Sequence, residues 1–379
     1  MNIFRALLTL LCLAFFLAEP ELILTATKNA IDIWLTSVLP ALLPFFILNN
    51  LCFTYGGITL FGSLLQPLTR KLFNLPGEVA FVIATGYSTG APVSSTSIAA
   101  LHKAKTIDKR SADLLLPFTA NVSPLFIFSV VAASFLCRSD LGVYLALVHY
   151  GSNLLLGTAI LLLCRPKDPV PTISFKAEMH RLQNKDTTPL GQGLSEAVFQ
   201  GLRTIGLIGG LIIVFFIFLA VIHFWAIDTI IAYILSWLGV EPEVTLGLIQ
   251  GITEITAGTK YAAAMNQSVT IKFSTICFIL AFGGISTLCQ IATQIKGTDL
   301  SLKFYFFYKI AQGILSFCLS LLVPIEENVI NLNTTMVPPE NSSIVGIYGL
   351  ILPVALIFLV WLIRRLQHKR WKKLKSFYQ

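Results

Sequence analysis

Charge is what this sequence has least of. Only 12% of its 379 residues are Asp, Glu, Lys or Arg, where soluble domains carry about a quarter. That scarcity excludes a soluble enzyme, a nucleic-acid binder and a disordered chain. Metal and redox signatures are missing too. The seven cysteines (Cys12, Cys52, Cys137, Cys164, Cys277, Cys289 and Cys318) lie in or beside apolar runs, with no CxxC pair and no His/Cys cluster. They read as small hydrophobes, not as a disulfide frame or a metal site. There is no HExxH, no G-x-S-x-G and no P-loop, so neither hydrolytic chemistry nor a nucleotide site is indicated. The chain is expected to be a non-enzyme without metal or cofactor. Any transport it performs is then driven by a gradient or is passive.

What is present is apolar sequence. Hydrophobic residues make up 55% of the chain and mean hydropathy is +0.78. The length allows roughly ten bilayer crossings of about 20 residues each. The net charge of +8 is gathered into a few short loops and the C-terminus, as in the cytoplasmic loops of an integral membrane protein. The expected partners are therefore the lipid bilayer and a small solute, not nucleic acid, with a homo-oligomer left open.

The organisation reads as follows. Residues 1–30 form a retained N-terminal helix and loop, and 31–164 a first repeat. Residues 165–203 form a basic cytoplasmic linker, and 204–323 a second repeat. Residues 324–342 form an acidic external loop, and 343–379 a last span with a basic tail. Pro40 and Pro44 should kink the helix that leads from Thr27 to Phe53. The two halves are similar to each other. Leu75-Pro76-Gly77-Glu78-Val79 followed by Gly86-Tyr87-Ser88-Thr89 lines up, at the same spacing, with Val240-Glu241-Pro242-Glu243-Val244 followed by Gly251-Ile252-Thr253-Glu254. Such fixed-offset similarity is the mark of an internal repeat.

Charge then sets the topology. The basic linker, the tail and the loop Leu101–Asp113 should face the cytoplasm, and the acidic loop with Glu326, Glu327 and Glu340 should lie outside. The signs come right if one segment pair in each half enters and leaves by the same face. Three crossings per half remain, so the halves are inverted. The fold expected is all-α: a polytopic integral membrane protein of two inverted repeats, each with a re-entrant hairpin and discontinuous helices, as in secondary transporters. The alternative is that every apolar segment crosses and the sign rule fails locally.

Four polar breaks interrupt the apolar runs: Gly86–Pro92, Asn121–Pro124, Gly251–Gly258 and Gly283–Ser286. Broken backbone at membrane depth is tolerated only where it is buried in protein or faces water. Half-helix N-termini there favour an anionic group, while hydroxyls and amides supply neutral contacts. The candidate binding residues are Gly86, Tyr87, Ser88, Thr89, Gly90, Asn121, Ser123, Thr253, Glu254, Thr256, Gly283, Gly284, Ser286 and Gln290. The competing reading is close helix packing by small residues. Glu254 is the sharpest of the set, an acid in an otherwise uncharged apolar run. It either binds or couples, or is a structural buried acid.

Leu75-Pro76-Gly77-Glu78, Gly86-Tyr87 with Gly90-Ala91, Ser123-Pro124-Leu125-Phe126 and Gly251-Ile252-Thr253-Glu254 through Gly258 resemble the YlbJ/SpoVV family of sporulation integral membrane proteins. That family carries the nucleoside-recognition Gate domain and is similar in architecture to concentrative nucleoside transporters. The resemblance covers about Leu39 to Val323. It implies a bacterial membrane location (the outer forespore membrane), dipicolinic acid as solute, and a site carried by the re-entrant tips and broken helices; the mechanism expected from the inverted repeats is alternating access at a midplane site. The chain departs from the family at Thr119–Pro124, where paired Asn and a Gly are usual. It departs again at Ser88-Thr89-Gly90-Ala91-Pro92, where a Lys is expected. A related small anion, a nucleoside-type solute and a non-transporting scaffold or signalling protein of sporulation are the alternatives.

Overall fold

The computed structural model of the protein describes residues 2–164 and 188–325, with residues 175, 179 and 180. Most of the expected linker, the acidic loop, and the last span with its tail lie outside the described residues.

All regular structure among the described residues is helical. α1 (Asn2–Ala18) precedes α2 (Pro20–Ile33), and a bend of 97° separates Arg5–Ala18 from Pro20–Val38. α2 passes through a π-helical turn, Trp34–Val38, into α3 (Leu39–Thr54). The distortion expected at the prolines is taken up in that turn. Pro40 has no N–H, and its ring crowds the carbonyl four residues back, at Thr36. The wider turn opens there, and the helix runs on past Pro44. α4 (Gly57–Phe73) follows, then α5 (Glu78–Ser88) and α6 (Ala91–Lys103), parted only by Thr89 and Gly90. α7 (Lys109–Thr119) stops at residues 120–123, and a π-helical segment, Phe126–Phe135, leads to α8 (Leu141–Leu163).

The second part comprises α9 (Leu190–Phe224), α10 (Ile227–Ser236), α11 (Pro242–Thr253), α12 (Ile255–Ala264), α13 (Val269–Phe282), α14 (Gly284–Gln294) and α15 (Leu302–Ser320). α9 begins inside the stretch read as linker. Its early turns carry the buried small residues Gly193, Ala197 and Gly201. Gly193 lies on Tyr55, and Gly201 on Leu43 and Ile47, so packing against α3 holds this end as helix.

Three helical runs are long and apolar enough to cross a membrane: Leu141–Leu163, Leu190–Phe224, and Val269–Gln294, which holds the Gly283 break. The bent N-terminal pair makes a fourth if it is one span. Large apolar side chains such as Val214, Phe218, Ile230 and Ile234 stand exposed on α9 and α10, an arrangement that suits lipid and not water.

α11 and α12 pack side by side and antiparallel. A Cβ on Gly258 would run into the Gly251 backbone, so the two helices approach as closely as backbones can. The Asn266 N–H, just past α12, donates to Glu243 Oε2 at the start of α11 (2.9 Å). At another face the turn after α6 meets the turn before α15. His102 Nε2 lies 2.7 Å from Asp299 Oδ1, Lys103 Nζ donates to the Lys296 carbonyl (3.3 Å), and Lys109 donates to the Asp299 carbonyl. The Ser301 N–H donates to Asp113 Oδ1 (2.6 Å). The hydrogen bond from His102 is the main cause that holds the Asp299 carboxyl below the usual carboxylate range.

Candidate functional site

The four breaks converge. One cavity of about 90 Å³ is lined by Thr89 to Pro92 between α5 and α6, by Ala120 to Ser123 after α7, by Glu254 to Thr256 between α11 and α12, and by Gly283, Thr287 and Gln290 at the start of α14. Its volume is several times the roughly 10–15 Å³ that a water needs. Val38, Leu42, Ile208 and Ile212 form an apolar wall, and Tyr305 and Lys309 of α15 complete the lining.

Local chemistry explains why the chain breaks at these points. Gly90, at φ +96°, turns the chain out of α5 in a conformation that L side chains rarely adopt. The Ala91 N–H then donates to the Asn121 carbonyl (2.8 Å), so two breaks satisfy each other's backbone. Glu254 is extended, and its Oε2 accepts the Ala257 N–H (2.7 Å). It thus caps α12, whose N-terminus it faces. Gly283 and Gly284, both at positive φ, start α14. Three helices, α6, α12 and α14, therefore begin at the cavity, and each brings a partial positive charge and N–H groups without partners inside the helix.

The break after α7 is held from behind by α8. The Val122 N–H donates to His149 Nε2 (3.3 Å), and the Tyr150 hydroxyl donates to the Val122 carbonyl (2.8 Å). Asn153 Nδ2 lies 2.8 Å from Asn121 Oδ1, 2.9 Å from the Tyr87 hydroxyl and 2.7 Å from the Phe118 carbonyl. The Tyr308 hydroxyl donates to Asn153 Oδ1 (2.7 Å). These side chains position the break and do not line the cavity.

Of the residues singled out in the sequence, Thr89, Gly90, Asn121, Ser123, Glu254, Thr256, Gly283 and Gln290 line the cavity. Six do not. Gly86 is packed so closely on Thr119 that a Cβ would meet its carbonyl, and Tyr87 is bound to Asn153 in the interior. Ser88 and Thr253 donate to the carbonyls of Ala84 and Ile249, four residues back in their own helices (2.8 Å each). Hydroxyls in a last helical turn commonly bond back in this way. Gly284 lies against the Gly251 carbonyl and Ile255 N. Ser286 is fully buried, and its hydroxyl has no partner among the described residues.

Lys309 is the functional candidate that the sequence reading passes over. It is 3% exposed and lines the cavity from the middle of α15. Its ammonium donates to Gln312 Oε1 (2.8 Å) and lies 5.9 Å from the ring centres of Tyr305 and Tyr308. Among the described residues no carboxylate pairs with it, Glu254 included. The signal was available: a lone cation inside an apolar run is as costly as a lone acid. Among the described residues, no three His, Cys, Asp or Glu side chains are grouped to hold a metal ion.

A pocket of polar breaks, helix starts and one buried lysine, inside an all-helical apolar protein with membrane-length helices, marks an integral membrane protein. Residues 35–148 match the Gate family, described as nucleoside recognition. The chain is 32% identical over 327 residues to the sporulation integral membrane protein YlbJ of Bacillus subtilis (strain 168), covering 81% of this chain and 80% of that protein. The chain belongs to the YlbJ family of sporulation integral membrane proteins, and it is itself an integral membrane protein. No solved structure matches it.

Proposed function

We propose that the protein is a secondary transporter of a small carboxylate anion, with the cavity at the four breaks as its binding site and dipicolinate as the first solute to test. The observation that carries this reading is Lys309, a buried lysine at the cavity that has a neutral amide and two aromatic rings beside it but no carboxylate among the described residues. A buried charge of this kind needs a counter-charge. Three helix starts at the same cavity favour the same sign of ligand. Lys309 also supplies, from another helix, the cation that the tip Ser88–Pro92 lacks.

Two inverted repeats with re-entrant hairpins belong to this reading. The matched placement of α5–α6 and α11–α12 supports them, as does the return of the chain to Glu243 after α12. The contacts between the basic turn at His102–Lys109 and the turn at Lys296–Ser301 fit a shared cytoplasmic face.

The test is uptake of labelled dipicolinate by proteoliposomes containing the full chain. Lys309→Met is expected to lower uptake at least about tenfold, the loss of one charge-assisted contact, with unchanged insertion. Undiminished uptake by this variant would sink the site. The hydroxyl and amide lining (Thr89, Asn121, Thr256, Thr287 and Gln290) favours a second reading, a nucleoside-type carrier. Competition by nucleosides but not by pyridine carboxylates would select it.

A further inference from the structure

A second, larger cavity of about 640 Å³ is stacked on the first along four helices. α3 turns Leu42 to the first cavity and Phe46, Asn49, Asn50 and Phe53 to the second. α6 passes from Pro92, common to both, to Thr96 and Ala100. On α9, Ile212 and Ile208 line the first cavity, and Leu207, Thr204, Arg203 and Gln200 the second. On α14, Thr287 and Gln290 give way to Thr293 and Gln294. These steps of three and four residues keep one face of each helix turned to one axis.

That axis runs toward the face of the basic turns. α6 ends there at Lys103, and α14 there before Lys296. The 35 residues of α9 span about 52 Å at 1.5 Å each, against a hydrocarbon core of about 30 Å. The apolar part from Thr204 to Phe224 accounts for that thickness, so Arg203 falls at the membrane boundary. Arg203 is exposed, is the one charged side chain lining the chamber, and among the described residues has no carboxylate partner. The other polar lining is neutral, including Asn49, 7% exposed and with no partner for its Oδ1 among the described residues. In the wall of the second cavity, one turn beyond Pro92 and Gln290 of the first, the Thr96 hydroxyl lies 2.9 Å from Gln294 Oε1 and ties α6 to α14.

We infer that the chamber is the aqueous route by which the anion reaches the cavity from the basic face, and that Arg203 is its anion contact at the mouth. The inference rests on the anion-transport reading above. A neutral polar wall with one fixed cation draws anions without holding them tightly, and a planar guanidinium offers a carboxylate two donors at once.

The test uses the full chain in proteoliposomes, with its seven cysteines replaced and single cysteines placed at Asn50, Thr204 or Thr293. Ser195 on the outer part of α9 serves as control. Each is labelled from either side with membrane-impermeant thiol reagents, one carrying a sulfonate and one a trimethylammonium group. The chamber cysteines are expected to react from the linker side only and to favour the sulfonate. Arg203→Gln should lower that preference by about tenfold, Arg203→Lys should restore part of it, and Ser195→Cys should be indifferent to both. Labelling should also block dipicolinate uptake.

Unlabelled chamber cysteines in a protein that still takes up dipicolinate would overturn the route. A preference indifferent to Arg203 would overturn the role of that residue. Labelling with the expected charge dependence, in a protein that takes up no anion, would uphold an anion-admitting chamber and count against the transport reading alone.

Discussion

Two buried ionisable side chains meet the same cavity by different means. Glu254 caps α12 through the Ala257 N–H, so its carboxylate has a structural partner whether or not solute is present. Glu254→Ala is expected to lose about 1 kcal/mol of stability, the worth of an N-cap. Glu254→Gln keeps an acceptor oxygen and should lose less. Thermal unfolding in detergent reads both, and equal losses would show that the cap is not what Glu254 contributes. Lys309 has no such role, so replacing it should change uptake far more than stability. Glu254 is legible in the sequence because Gly, Thr and Ile surround it. Lys309 follows the same rule, yet Phe304–Val323 reads as an ordinary span because its aromatic and aliphatic neighbours mask one charge. The Ser88 and Thr89 hydroxyls both bond back to their own helix, yet only Thr89 lines the cavity, and residue type alone does not carry that difference in placement.

At the scale of elements, the positions of the breaks were legible and their partners were not. Gly, Pro and Asn clusters marked where α5, α7 and α13 stop. That the Asn121 carbonyl takes the Ala91 N–H, or that α8 supplies His149, Tyr150 and Asn153 to the break, is a matter of long-range contact that spacing cannot reveal. The start of α9 at Leu190 was missed because polar residues between Thr188 and Arg203 hide a buried stripe of small ones. The tightest contact between elements is that of α11 with α12. Gly258→Ala is expected to force these backbones apart and to lower the melting temperature by a few degrees, since overpacking costs about 1–3 kcal/mol and each kcal/mol shifts even a domain of about 150–250 residues by only roughly 2–4 °C. An unchanged melting temperature would mean that the hairpin has room to relax.

At the scale of the whole molecule, the sign of charge on each loop sets an expected orientation. The loops within Leu101–Asp113 and Met265–Lys272 should label from opposite sides of the membrane when single cysteines are placed in them. Labelling from one side would rule out inverted halves. The latch between His102 and Asp299 joins distant parts of the chain at one face. Because the Asp299 carboxyl titrates below its ordinary range when folded, its contribution is complete above the ordinary carboxylate value of about 3.9. It fades as pH falls through the lower folded value. The difference in melting temperature between the wild type and Asp299→Asn should therefore shrink as pH falls below the ordinary carboxylate value. A difference that persists undiminished in strong acid would contradict the latch.

The grip of α8 on the loop after α7 restricts how the protein can rearrange. With the Val122 N–H held by His149 and its carbonyl by Tyr150, that loop cannot swing alone without stranding polar groups in a dry interior. In the proposed transport reading, an opening of the pocket carries this loop and α8 together and has to part α8 from α15, held by a short bond from the Tyr308 hydroxyl to Asn153 Oδ1 (2.7 Å) and a long one from Gln312 to the His149 carbonyl (3.4 Å).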